Sequence, residues 1–268
     1  MTEMTARIAA VLVAALSGTL GCGQEVQDRP GGSVRGSFRA PPASGGGGGG
    51  DEDAGVPGDG GVVETRTVDG RIVELSDLGD RLGSARGVPE RQVGGYDPDG
   101  DLLTTVSAED GTFRLEGLSR STPLILSASG DPPSFIVLEA GRLDAALLPV
   151  IDAAMLQEVA ASVSSSPAEV TGHAFVWLED GRGEPARGLG VEVVSAAPLE
   201  GPFYGTTDPT QLTGVPPTDE EGLVVFLNAV AGTLRLSLFR LDAPAVTEAV
   251  SLPIEAGVVT FYEVTTDL

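Results

Sequence analysis

The chain has 268 residues, is 41% hydrophobic, and carries 39 acidic against 16 basic side chains, for a formal charge of -23. That length suits one large domain or two ordinary ones, and a polyanion of this kind repels nucleic acid, so no nucleic-acid partner is expected. A single cysteine, a single histidine and the lack of any lysine exclude an internal disulfide, a His/Cys zinc site and a Walker A phosphate loop.

Residues 1–21 join a weakly basic start at Arg7 to an apolar run from Ile8 to Leu16. That run is too short for a bilayer core of ~30 Å, which predicts a signal peptide and not a spanning helix. Small residues then lead into Cys22. The stretch Thr19-Leu20-Gly21-Cys22 resembles the lipobox of bacterial lipoproteins, with Gly21 as the expected small residue and Thr19 where that family has leucine. The resemblance implies lipidation of Cys22 and attachment to a membrane through the lipid. With Gly23 next, it further implies an outer-membrane lipoprotein of the cell envelope, a secreted protein being the alternative.

Residues 22–61 are rich in glycine and proline and hold almost nothing that could be buried. Such a segment cannot offset the entropy of ordering, so a disordered tether is expected, with an r.m.s. reach of roughly 35 Å. Its glycine run satisfies G-x-G-x-x-G formally, yet it follows no strand and opens no helix, so the dinucleotide-site reading fails.

From residue 62 on, the period of the apolar residues is two, the signature of strands. Residues 62–149 hold "LLTTVSA" and "TFRLEGL" around Glu109-Asp110-Gly111, which predicts a hairpin with Phe113 and Leu115 facing inward. Residues 168–268 repeat the rhythm: Gly222, then Val224 and Phe226 inward, then Leu234, Leu236 and Leu238 on the next strand. Upstream, Gly70 of "DGRIVEL" aligns with Gly172 of "TGHAFVWL", and "SARGV" (84–88) with "PARGL" (185–189). Ser121 stands where the second copy has Gly232.

The set "VTGHAFV", "GEPARGLGV" and "EGLVVFLNAVAG" resembles the carboxypeptidase regulatory-like domain, and the first copy matches it through "EDGTFRLEGL". The resemblance implies a transthyretin-like (prealbumin-like) fold. The fold class expected is therefore all-β: two tandem antiparallel β-sandwiches, each with its own core pattern and each expected to fold alone. Between them, in 150–167, Met155, Leu156, Val159 and Val163 recur at helical spacing behind a capping Asp152 and ahead of Pro167, which predicts a short linker helix.

Sites are sparse. His173 falls within a strand pattern with no serine elbow to serve, and is expected to be a solvated strand residue. Asp97, Asp99 and Asp101 of "YDPDGD" offer alternate carboxylates to calcium, but without the glycine and glutamate spacing of an EF-hand; a solvated turn is the better reading. Phe203 and Tyr204 sit among glycine and proline in the long insertion from Ser195 to Glu221, and are the candidate ligand contacts. No catalytic residue and no cofactor is assigned. The function expected is a non-enzymatic, lipid-anchored envelope protein giving structural support or binding an envelope glycan or protein, carbohydrate being a ligand of some relatives of the fold. The alternative is an accessory subunit of a larger envelope complex; an enzyme using a carboxylate pair ranks third.

Overall fold

A computed structural model describes residues 64–76, 85–120, 124–138, 146–195, 198–206, 211–218 and 221–268. The expectations for the signal segment, Cys22, the tether and Ser121 lie outside the described residues.

The first unit contains β1 (Thr65–Glu74), β2 (Gln92–Tyr96), β3 (Leu102–Val106), β4 (Thr112–Ser119), β5 (Leu124–Ala128), β6 (Ser134–Leu138) and β7 (Ala146–Val150). A helix, α1 (Ala153–Ser162), follows. The second unit contains β8 (Gly172–Glu179), β9 (Leu189–Val193), β10 (Glu200–Gly205), β11 (Leu212–Thr213), β12 (Leu223–Ala229), β13 (Gly232–Arg240), β14 (Ala243–Ile254) and β15 (Val259–Thr265). The chain is all-β with one described helix.

The two units repeat in their hydrogen bonding. β1 lies between antiparallel β4 and parallel β7; β8 lies between antiparallel β12 and parallel β15. Opposite them, β2-β5-β6 is matched by β9-β13-β14, all antiparallel. The equivalences run to single bonds. Ile72 N–H donates to Gly111 O and Leu178 N–H to Gly222 O; Val88 N–H donates to Ile72 O and Ala186 N–H to Leu178 O. Ile72 thus corresponds to Leu178, and Gly111 to Gly222, as the acidic-Gly motifs suggest.

Two sequence expectations change here. The run Glu109-Asp110-Gly111 does not close a hairpin: β3 pairs with β2 and β4 with β1, so the turn carries the chain from one sheet to the other. The upstream glycines are also not equivalent, because the bonds above match Gly70 with Val176 and Gly87 with Pro185. Each glycine answers a local need. A Cβ on Gly70 would lie 2.4 Å from the Phe113 ring, and one on Gly172 would lie 2.2 Å from Glu255 O.

The two sandwiches share a sheet. β6, an edge of the first unit, pairs in parallel with β15 of the second through Ser134–Val137 and Val259–Tyr262. The result is a nine-stranded sheet, β11-β10-β12-β8-β15-β6-β5-β2-β3, flanked by β4-β1-β7 and β14-β13-β9. Alternate residues of the shared strands enter different cores. Phe175, Trp177, Val225 and Phe261 join Ile72, Phe113 and Leu118 of the first unit, while Val176, Val224, Phe226 and Tyr262 join Leu234, Leu236 and Leu238. Coverage on both faces makes all eight residues of β8 buried, where a one-faced sheet would alternate.

The helix belongs to the first of these cores through Met155, Leu156, Val159 and Ala160. Asp152 Oδ1 caps it by accepting from Met155 N–H at 2.7 Å. It ends in a Schellman turn, with Ser164 N–H on Ala161 O and Ser165 N–H on Ala160 O, four residues before Ala168 and ahead of Pro167. Ser164 adopts φ 60, the left-handed conformation that glycine usually fills.

Candidate functional site

The densest polar cluster within the described residues lies where the segment after α1 crosses the ends of β8, β10 and β12. Its hub is Asn228, at a register irregularity of β12 and with φ 52. Asparagine tolerates that region because its short side chain can bond locally. Here it bonds to the segment beside it. Asn228 Oδ1 accepts from Ala168 N–H at 2.9 Å and from the Thr171 hydroxyl at 3.1 Å. Its Nδ2 donates to Ser166 O at 3.0 Å, Ser165 Oγ at 3.3 Å and Glu200 Oε1 at 3.0 Å.

His173 completes the cluster from the start of β8. It is 4% exposed, and its Nδ1 accepts from Asn228 N–H at 3.4 Å. Burial lowers its pKa from 6.5 to about 4, against the opposing pull of Glu200. Glu200 itself is held below the usual carboxylate range, first by the Ser165 hydroxyl and then by Asn228. The expectation of a solvated His173 is therefore corrected: β8 lies inside the shared sheet and is buried along its whole length, so there is no solvent side for it to occupy. Every partner in this cluster fixes backbone or another partner, and the imidazole accepts where a general base would need its lone pair free.

The aromatic pair is corrected too. Phe203 and Tyr204 stand on β10, which joins β12 at the far end of the nine-stranded sheet. Tyr204 is 2% exposed, and its hydroxyl accepts from Val191 N–H at 3.0 Å. Phe203 is half-buried against the other core. Strand pairing turned what reads as an exposed Gly/Pro loop into two opposite core faces, which buries Tyr204 and leaves Phe203 half-buried.

Asp97 spends its carboxylate on its own turn. Its Oδ1 accepts from Asp99 N–H at 2.9 Å and Asp101 N–H at 2.8 Å. Asp180, at a different place in the second unit after β8, closes a turn of the same form, accepting from Arg182 and Glu184 N–H at 2.8 and 3.0 Å. A turn that works equally with arginine and glutamate in those places is a turn device, and among the described residues no His/Cys/Asp/Glu group is arranged to hold a metal. Nor is any described helix long and apolar enough to cross a membrane.

Asn228 and Glu200 escaped the sequence reading. The available signal was an asparagine one place before a strand end, a common left-handed position, but nothing in sequence tied it to residues some sixty positions earlier.

No family model matches the chain, and no curated protein matches it. Solved structures similar to it include the Bacillus anthracis TIE protein (12% identity, TM-score 0.24, 74% of this chain and 34% of that one). The Streptococcal ancillary pilin is another (10%, 0.25, 75% and 68%). A third is the shaft pilin spaA from Lactobacillus rhamnosus GG (11%, 0.22, 74% and 97%). The chain spans about a third of the TIE protein chain it matches. TM-scores of this size carry no functional meaning for the chain.

Proposed function

We propose that the chain is a non-enzymatic, lipid-anchored protein of the cell envelope, in which Cys22 and the 22–61 tether hold a body of two fused β-sandwiches. The body serves as a structural or binding module at the end of that tether. The observation that carries the reading is the joint: parallel pairing of β6 with β15 makes one continuous sheet of two repeats. A body so built suits bearing load and holding position. Its largest polar cluster is spent on its own backbone, which also favours support over chemistry. Replacing Cys22 with Ala is expected to move the protein from the membrane fraction to the soluble one; retention in the pellet would refute the lipid anchor.

The rival reading, an accessory subunit of a larger envelope complex, is favoured by one observation. β14 occupies in the second unit the place that β6 has in the first, yet among the described strands it forms a ladder only with β13. A free strand edge is a template for pairing with another chain. In native extracts a lone module elutes near its own mass, whereas a subunit elutes with its partner.

A further inference from the structure

The Asn228 hub bonds the whole stretch from Ser165 to Thr171 to the end of β12, and α1 precedes that stretch directly. The helix buries Met155, Leu156 and Val159 in the core that also holds Phe175, Trp177 and Phe261, and Ser162 Oγ accepts from Leu212 N–H of β11 at 3.1 Å. The hub holds the one histidine of the chain, whose ring nitrogen accepts a backbone N–H and so cannot be protonated without losing that bond. We propose that His173 and Asn228 form an acid-released clasp, in which protonation of the imidazole frees the Ser165–Thr171 segment and loosens α1 from the sheet.

The geometry supplies the reason. His173 Nδ1 holds the Asn228 N–H by accepting from it. A protonated imidazole has a proton on both nitrogens, so two donors would face each other in a buried site. The charged groups around it do not reverse this. Glu200, on β10, favours the cation, but burial outweighs it. On β15 the register partner of His173 is the apolar Val259. Glu255, on the turn beside Gly172, couples to Tyr96 and Tyr262, and burial favours its neutral form. Glu169, in the clasped segment, is exposed to solvent.

The direction follows from linkage. The closed-state pKa of about 4 lies below the free value of 6.5, so the clasp is fully stable above the free value and weakens as pH falls through the closed one. Between pH 7 and pH 5 the opening equilibrium should rise about 20-fold. Glu255 acts oppositely: its raised pKa adds stability as pH falls.

Hydrogen exchange of the full chain at pH 7 and 5, corrected for intrinsic rates, tests the clasp. Protection over 153–171 should fall about 20-fold while β13 and β14 keep theirs. His173→Asn, which offers an amide oxygen near the Nδ1 position and does not titrate, should abolish that fall. Equal loss in both regions, or the same loss in His173→Asn, would overturn the proposal. Because the chain has one histidine, its imidazole NMR signals give a second check without any variant. Titration near 4 in the folded protein supports the clasp; titration near 6.5 with α1 undisturbed overturns it.

Discussion

Tyr204 shows how one side chain can be misread and then predicted. Its neighbours Gly201, Pro202 and Gly205 suggest a turn, but pairing of β10 with β12 sets Tyr204 and Phe203 on opposite faces of a buried sheet. Whether a segment adds to a sheet edge depends on a partner strand distant in sequence, which local pattern does not encode. Tyr204→Phe should cost about 1–2 kcal/mol, since Val191 N–H loses its buried acceptor. The double change Phe203→Ala, Tyr204→Ala should cost about 4 kcal/mol or more, seen as a melting point lower by roughly 10 °C. An unchanged melting point would restore the exposed-loop reading. Ser134 on β6 gives the opposite sign. Its hydroxyl is buried with no hydrogen-bond partner, so Ser134→Ala should leave stability unchanged or raise it, and a loss above about 1 kcal/mol in urea titration would show a hidden partner.

Among elements, the acidic-Gly turns were the most legible feature, although their role was not. Positive φ at Gly111 and Gly222 follows from the motif, but their use as crossovers docked on β1 and β8 required the fold. Alanine at either would set a Cβ 2.5 Å from Ile72 O or 2.4 Å from Leu178 O. Each should therefore cost clearly more than Gly100→Ala, where φ is also positive but the space is open and ~1 kcal/mol is expected. Similar losses at all three, in equilibrium unfolding, would contradict the docked role. The helix was legible from Asp152 and its apolar spacing, but its stop was not: Ser164, and not Pro167, ends it. Ser164→Gly should add about 0.5–1 kcal/mol, because glycine takes that conformation without a Cβ penalty. A lower melting point for this variant would show that the hydroxyl matters more than the backbone.

At the scale of the molecule, the tandem repeat could be read from turn glycines and core alternation, whereas the joint could not. Edge pairing between β6 and β15 leaves no motif, since any two apolar strands of matching length can pair. Its consequence is energetic. Trp177 and Phe261 of the second unit share a core with Phe113 and Leu118 of the first, so cutting the halves apart would open that core and expose the apolar face of β8, β12 and β15, although the second core stays within its own unit. The central claim is that the two repeats unfold as one body. Trp177, the lone tryptophan, stands on β8 of the second unit with its side chain in the shared core. Urea unfolding of the full chain should give one midpoint by Trp177 fluorescence and by far-ultraviolet circular dichroism. The variant Phe113→Ala, placed in the first unit, should lower both midpoints equally. If Phe113→Ala left the Trp177 midpoint in place while the dichroism transition split in two, the units would be independent and the shared core would not couple them.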